Sequence, residues 1–144
     1  MSILAQIRED TKQAMRDHDN LTRDTLRNIA GAIRQIEIDE RKELSDAETE
    51  KALQKQIKLR LDAIEQYKVG KRDDLVEKES GEVAIIERYL PKQLSDDELE
   101  TTLKAIVASL ETKTIGGVMA KAKEVIGSRA DGKRISAKAK ELLG

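Results

Sequence analysis

The run Gly127-Ser128-Arg129-Ala130-Asp131-Gly132-Lys133-Arg134 puts three cations on a glycine-bearing segment between two stretches of apolar periodicity. Backbone N–H groups and basic side chains gathered this way can hold an anion, and phosphate is the obvious one. A solvated turn between helices is the alternative reading of the same residues. Lys121 and Lys123 precede the run, and Lys138 and Lys140 follow it. A helix beginning at this loop offers a free N-terminus to the same phosphate contacts. A second set, Arg23, Arg27, Arg34 and Arg41, is spaced by four, seven and seven residues, which keeps all four on one helical face. Arginine in preference to lysine suits fork-like contact with phosphate. The alternative here is a solvated stripe paired with neighbouring acids.

Other chemistries find few residues to stand on. His18 is the single histidine and falls at an expected helix end; with no cysteine it cannot complete a zinc site, and it is a poor base for a serine nucleophile. The absence of cysteine also removes disulfides and thiol catalysis. Gly116-Gly117 opens a helix without the Lys-Ser/Thr pair or preceding strand of a phosphate loop. Glu37, Asp39, Glu40 and Glu43 fall on expected exposed faces and read as solvating charge rather than an acid–base pair. The residues therefore predict a non-catalytic protein with no metal site and no cofactor. With no Phe and no Trp, base stacking is unavailable, and any RNA contact must rest on backbone and shape.

The elements that would position these side chains are helices. Charged residues make up 38% of the chain, there is one proline, and the core must be aliphatic because the only aromatics are Tyr67 and Tyr89. Ser2 is expected to cap a first helix carrying Ile3, Ile7 and Ala14 and ending near His18. Asp19-Asn20 breaks the chain before a second helix that runs to about Lys42 through Leu26, Ile29, Ile33 and Ile36. Ser45-Asp46-Ala47-Glu48 is a capping-box pattern. It opens a long helix with Leu53, Ile57, Leu61, Ile64 and Tyr67 on its apolar face, and Gly70 suits the residue just past its end. The next helix carries Leu75, Val83, Ile86 and Leu90, and the two predict a long antiparallel hairpin closed by Pro91.

A second capping box, Ser95-Asp96-Asp97-Glu98, then starts a helix with Leu99, Leu103, Ile106 and Leu110. Ile115, Val118, Met119, Ala122, Val125 and Ile126 mark another, and Asp131 can cap a last one carrying Ile135, Ala139 and Leu142. The expectation is an all-α protein with an N-terminal helical domain, residues 1–92, and a small three-helix C-terminal domain, residues 95–144. Residues 101–144 hold nine basic and four acidic side chains, whereas residues 1–100 hold 18 and 24. That asymmetry suggests an acidic body with a basic, nucleic-acid-facing end. The N-terminus, Met1-Ser2-Ile3-Leu4-Ala5-Gln6, has no apolar signal core, and no stretch reaches membrane-spanning length; a soluble, cytoplasmic protein is expected.

Four stretches in this order and spacing resemble the GatB/YqeY family, the small YqeY-like proteins and the tail of the aminoacyl-tRNA amidotransferase B subunit. They are Leu26-Arg27 with Ala32-Ile33 and Glu37-Ile38-Asp39; Arg60 to Tyr67 followed by Gly70-Lys71-Arg72-Asp73-Asp74-Leu75; Glu87 to Ser95 through Pro91; and Gly127 to Lys133. The resemblance implies the same two-part helical fold. It also implies a non-catalytic module that binds tRNA by its outer corner, acting in trans with an amidotransferase or an aminoacyl-tRNA synthetase. Any carbon–nitrogen ligase activity with glutamine as amido donor would belong to the larger enzyme. Carried over by position, the tRNA-facing residues are Lys121, Lys123, Arg129, Lys133 and Arg134, with Arg27 and Arg34 as a weaker set. The rival expectation is a helical adaptor that binds a protein partner through the long hairpin.

Overall fold

A computed structural model describes residues 2–144; Met1, part of the N-terminal run read above, lies outside the described residues. All regular elements among them are helices, as the composition demands. Backbone contacts divide the chain into two compact units, one reaching to Leu90 and the other spanning Pro91–Gly144. Each has its own aliphatic core.

The first unit holds α1 (Ile3–Arg16), α2 (Asn20–Glu40), α3 (Asp46–Val69) and α4 (Asp73–Glu87). Short polar side chains start the first three. Ser2 Oγ accepts from Ala5 N at 3.1 Å, and Asp19 Oδ1 accepts from Thr22 N at 3.1 Å. Ser45 and Glu48 exchange the two bonds of a capping box. α3 and α4 pack against each other along the hairpin, and α2 lies against α1 and α4. Leu26, Ile29 and Ile33, recurring every three or four residues, present the inner face of α2 to Ile7, Leu53 and Ile86. Burying each such side chain contributes roughly 1.5–3 kcal/mol.

The three joints of this unit turn through left-handed residues that are not glycine: His18 (φ 55°), Arg41 (φ 54°) and Lys71 (φ 56°). At each joint the next residue's N–H reaches back five positions: Asp19 to Ala14 O at 2.9 Å, Lys42 to Glu37 O at 3.1 Å, Arg72 to Tyr67 O at 2.8 Å. α2 therefore stops at Glu40, short of Lys42. Gly70, expected at the left-handed position, has φ −79° and leaves that conformation to Lys71.

The buried line of α3 also departs from expectation. It runs through Leu53, Arg60 and Ile64, with Ile57 half-buried, while Leu61 is 46% exposed. Spacings of four, three and four keep these residues on one face, so Arg60 takes the place assigned to Leu61. All three of its guanidinium nitrogens donate: Nε to Glu82 Oε1 at 3.3 Å, Nη1 to Gln56 O and Oε1 at 3.1 Å each, and Nη2 to Asn28 Oδ1 at 3.0 Å. One arginine thus ties α3 to α4 and α2. Tyr89, just past α4, donates to Asp10 Oδ2 of α1 at 2.5 Å.

The second unit holds α5 (Asp96–Ser109), α6 (Ile115–Val125), a 3-10 turn (Gly127–Arg129) and α7 (Gly132–Leu143), the three α-helices packing pairwise. Ser95 and Glu98 form its capping box. Its core is built on Leu99 and Leu103 of α5, Val118 and Ala122 of α6, and Ile135 and Ala139 of α7, with Leu94, Ile126 and Ala130 filling in from the connections. Ile115 and Val125, expected on the apolar stripe of α6, are 38% and 44% exposed. A strict four-residue step through Val118, Ala122 and Ile126 suffices to face the core.

Candidate functional site

The basic loop is more tightly built than its composition suggests. Gly127 takes φ +57°, where no side chain is tolerated cheaply, and lets the chain leave α6. Ala130 is buried as an anchor, and Asp131 caps α7 by accepting from Arg134 N at 2.7 Å. The α7 N-terminus expected to be free for phosphate is therefore met by the chain's own carboxylate. The reason is positional, since a short acidic side chain at this place reaches the N–H three residues on.

Two of the five carried-over cations are turned inward. Arg129 Nη2 donates to Val125 O at 2.8 Å and its Nε to Ile126 O at 3.3 Å, closing the end of α6. Arg134 Nη2 donates to Leu94 O at 2.8 Å and to Asp96 Oδ1 at 3.1 Å. The Arg129 carbonyl also accepts from Leu94 N at 2.7 Å, so both arginines and the segment before α5 are laced together. Lys121 pairs with Glu124 at 3.5 Å across one turn, exposed and worth little. Lys123 and Lys133 are exposed and make no hydrogen bond or ion pair. Lys140 shares that freedom and lies seven residues from Lys133 on the outer face of α7, roughly 10 Å along the axis.

The unit is less positive than residues 101–144 alone. Asp96, Asp97, Glu98 and Glu100 belong to it, so residues 91–144 carry ten basic and eight acidic side chains. The positive surface is local to α6 and α7 rather than a property of the whole unit.

The arginines of α2 do not act as one set. Arg23 is half-buried and donates to Asp24 at 2.8 Å, a bond that holds the Asp24 carboxyl below its usual range. Arg41 is off the helix altogether, at the left-handed joint. That leaves Arg27 and Arg34 exposed, Arg27 bonded only to Met15 Sδ at 3.4 Å and Arg34 without a partner.

A cavity of about 220 Å³ opens elsewhere in the first unit, lined by Arg8, Glu37, Glu43 and Thr49 among others. Glu37 accepts there from Leu44 N at 3.0 Å and brackets a loop, not a reacting atom. Among the described residues no three His, Cys, Asp or Glu side chains converge as a metal site. Sequence reasoning missed the buried role of Arg60, whose neighbours in space, Asn28 and Glu82, are far away in the chain. It also missed that two loop arginines hold carbonyls.

Several curated proteins are similar to this chain, all named Altered inheritance of mitochondria protein 41, mitochondrial. The one from Kluyveromyces lactis is 32% identical, the match covering 79% of this chain and 72% of its own length. The one from Pyrenophora tritici-repentis is 29% identical over 99% of this chain and 81% of its own. In Saccharomyces cerevisiae (strain S288c) the figures are 32%, 84% and 66%. These relatives are named as mitochondrial, which overturns the cytoplasmic location expected above. The reason is that an apolar signal core is the wrong test: mitochondrial targeting uses amphipathic, not apolar, segments. The model of the family described as Yqey-like protein matches residues 4–143, and on that near-complete match the chain belongs to the YqeY-like family.

Proposed function

We propose that this protein is a non-catalytic tRNA-binding module that grips the phosphate backbone with the outward lysines of its second unit. The observation that carries this reading is the group Lys123, Lys133 and Lys140, exposed on α6 and α7 and spent on no hydrogen bond or ion pair within the chain. Long flexible ammonium groups left in water attract a polyanion at little desolvation cost, and the attraction is sequence-independent. The finer form of the proposal is action in trans beside an amidotransferase or an aminoacyl-tRNA synthetase, which the family resemblance suggests.

Binding of unfractionated tRNA across a salt series, with duplex DNA as control, tests this. Affinity that falls steeply with salt and prefers tRNA is expected, and Lys133→Ala should lower the slope of log K against log salt by about one. No tRNA binding at low salt refutes the reading. Arg134 is a poor probe, because its loss would first release Leu94 and Asp96.

One observation favours the adaptor reading instead. Leu59 (53% exposed), Leu61 (46%) and Val69 (82%) are exposed apolar side chains of α3 that add nothing to the hairpin's own core, Leu59 and Leu61 on opposite flanks of its buried line. Under that reading, Leu59→Lys/Leu61→Lys abolishes a partner interaction and leaves tRNA affinity unchanged.

A further inference from the structure

Gly31 sits in the middle of α2, exposed to solvent. A glycine inside a helix weakens it, and two internal reasons commonly justify one: a left-handed backbone, or a neighbour too close for a Cβ. Neither holds here. Gly31 is not among the positive-φ residues, and a Cβ built on it meets no heavy atom within 4 Å. Gly81 of α4 shows the contrast, since its Cβ would come 3.1 Å from Leu21 Cδ2. Gly116 and Gly132 are also open, but they occupy the first turns of α6 and α7. Among the described residues, Gly31 is the mid-helix glycine whose bareness serves nothing within the chain.

Its flanks are cationic. Arg27 lies one turn before it and Arg34 about one turn after, on the same exposed face and roughly 10 Å apart along the axis. Arg34 has no partner, and Arg27 has only a thioether, a weak acceptor, with Asp24 in its field. Between Asp24 and Glu37 the helix carries no acid, although residues 1–100 are acidic overall. Asn28 is committed to Arg60, and Gln35 donates to Asp39. Between the two arginines the exposed face offers no large apolar side chain to anchor a partner helix.

We propose that this face of α2 is a second RNA contact, where a phosphodiester backbone lies against the bare helix at Gly31 and is held on either side by Arg27 and Arg34. The absent Cβ permits close approach, and the two guanidiniums supply bidentate donors to phosphate oxygens. The roughly 10 Å between them spans about three phosphates of one strand of a duplex. This rests on the tRNA-binding reading above and adds to it a contact made by shape as well as charge.

Fluorescence anisotropy of labelled unfractionated tRNA with the full chain tests it, using Gly31→Ala, Gly31→Leu, Arg27→Ala/Arg34→Ala and Lys133→Ala. The two Gly31 variants should match or exceed the parent in melting temperature, so misfolding cannot explain lost affinity. Gly31→Leu should nonetheless bind at least tenfold more weakly, Gly31→Ala less severely, and the double arginine variant should lower the salt slope by about two. If the parent and Gly31→Leu bind equally while Lys133→Ala is impaired, this contact is overturned and the tRNA-binding reading stands. If the parent fails to bind, both fall. Self-association in sedimentation that Gly31→Leu abolishes, with tRNA affinity intact, assigns the face to a second copy and overturns the RNA contact.

Discussion

Removing Arg60 should unfold the first unit at a much lower denaturant concentration. Its side chain is 10% exposed and that of Glu82 14%, so the pair is buried and its loss needs no discount for solvent screening. Arg60→Ala strands the Glu82 carboxylate and also releases Asn28 and the Gln56 carbonyl from their donor. Breaking a buried pair by removing one partner costs about 3–5 kcal/mol. At about 4–8 °C per kcal/mol for a unit of this size, even the lower figure lowers its melting temperature by at least about 12 °C. Tyrosine fluorescence is the assay, because Tyr67 and Tyr89 both lie in this unit and the second has none. Arg60→Met/Glu82→Leu should recover most of the loss, since replacing both charges with apolar residues of similar volume is commonly close to neutral. A loss below about 1 kcal/mol for Arg60→Ala, or a double variant as unstable as the single, would refute the view that an uncompensated charge is what the network prevents.

The Glu48 carboxyl is held down at about 2, first by the Lys42 ammonium at 2.6 Å and then by the Ser45 backbone and hydroxyl. Because its folded value is depressed, that stability is present above the ordinary 4.5 and lost as pH falls toward 2; Glu48→Gln should flatten this part of the acid limb in a pH series of urea melts. Gly31→Ala should stabilise by about 0.5–1 kcal/mol, whereas Gly81→Ala should gain less because its Cβ crowds Leu21; thermal melts by circular dichroism distinguish them. Asp131→Ala should cost about 0.5–2 kcal/mol of second-unit stability, while Asp131→Ser keeps the cap, removes a negative charge beside Lys133 and should tighten tRNA binding at low salt. Unchanged affinity for Asp131→Ser would argue that the α7 end does not face the RNA.

What the sequence made legible was local. Both capping boxes, the Ser2 and Asp131 caps, and the inner face of α2 depend on residues a few positions apart, and the chain forms them as their spacing requires. What it hid depends on partners distant in the chain. Arg60 reads as an ordinary charged residue next to Leu61 until Glu82 and Asn28 fold onto it. Arg134 reads as a free cation until Leu94 and Asp96, about 40 residues earlier, supply its acceptors. The stripe of α3 had one apolar residue too many, Leu61, and that of α6 two, Ile115 and Val125, and periodicity alone could not say which would be left outside. Of the cations that composition marked, Lys123, Lys133 and Lys140 make no hydrogen bond or ion pair within the chain, which their charge alone does not reveal.

The left-handed joints of the first unit carry a wider implication for how this chain can change. A side chain at such a torsion works against its own backbone by roughly 1–2 kcal/mol, and all three joints bear that load on His18, Arg41 and Lys71. The unit therefore holds an unspent reserve of stability, releasable by a single glycine at any joint without touching the core. Arg41 and Lys71 are exposed cations, so a glycine at either would also remove a positive charge and leave that corner of an acidic body more negative. Stability and surface charge are thus coupled at Arg41 and Lys71, where the glycine that relieves the torsion also removes the cation, and are separate at His18.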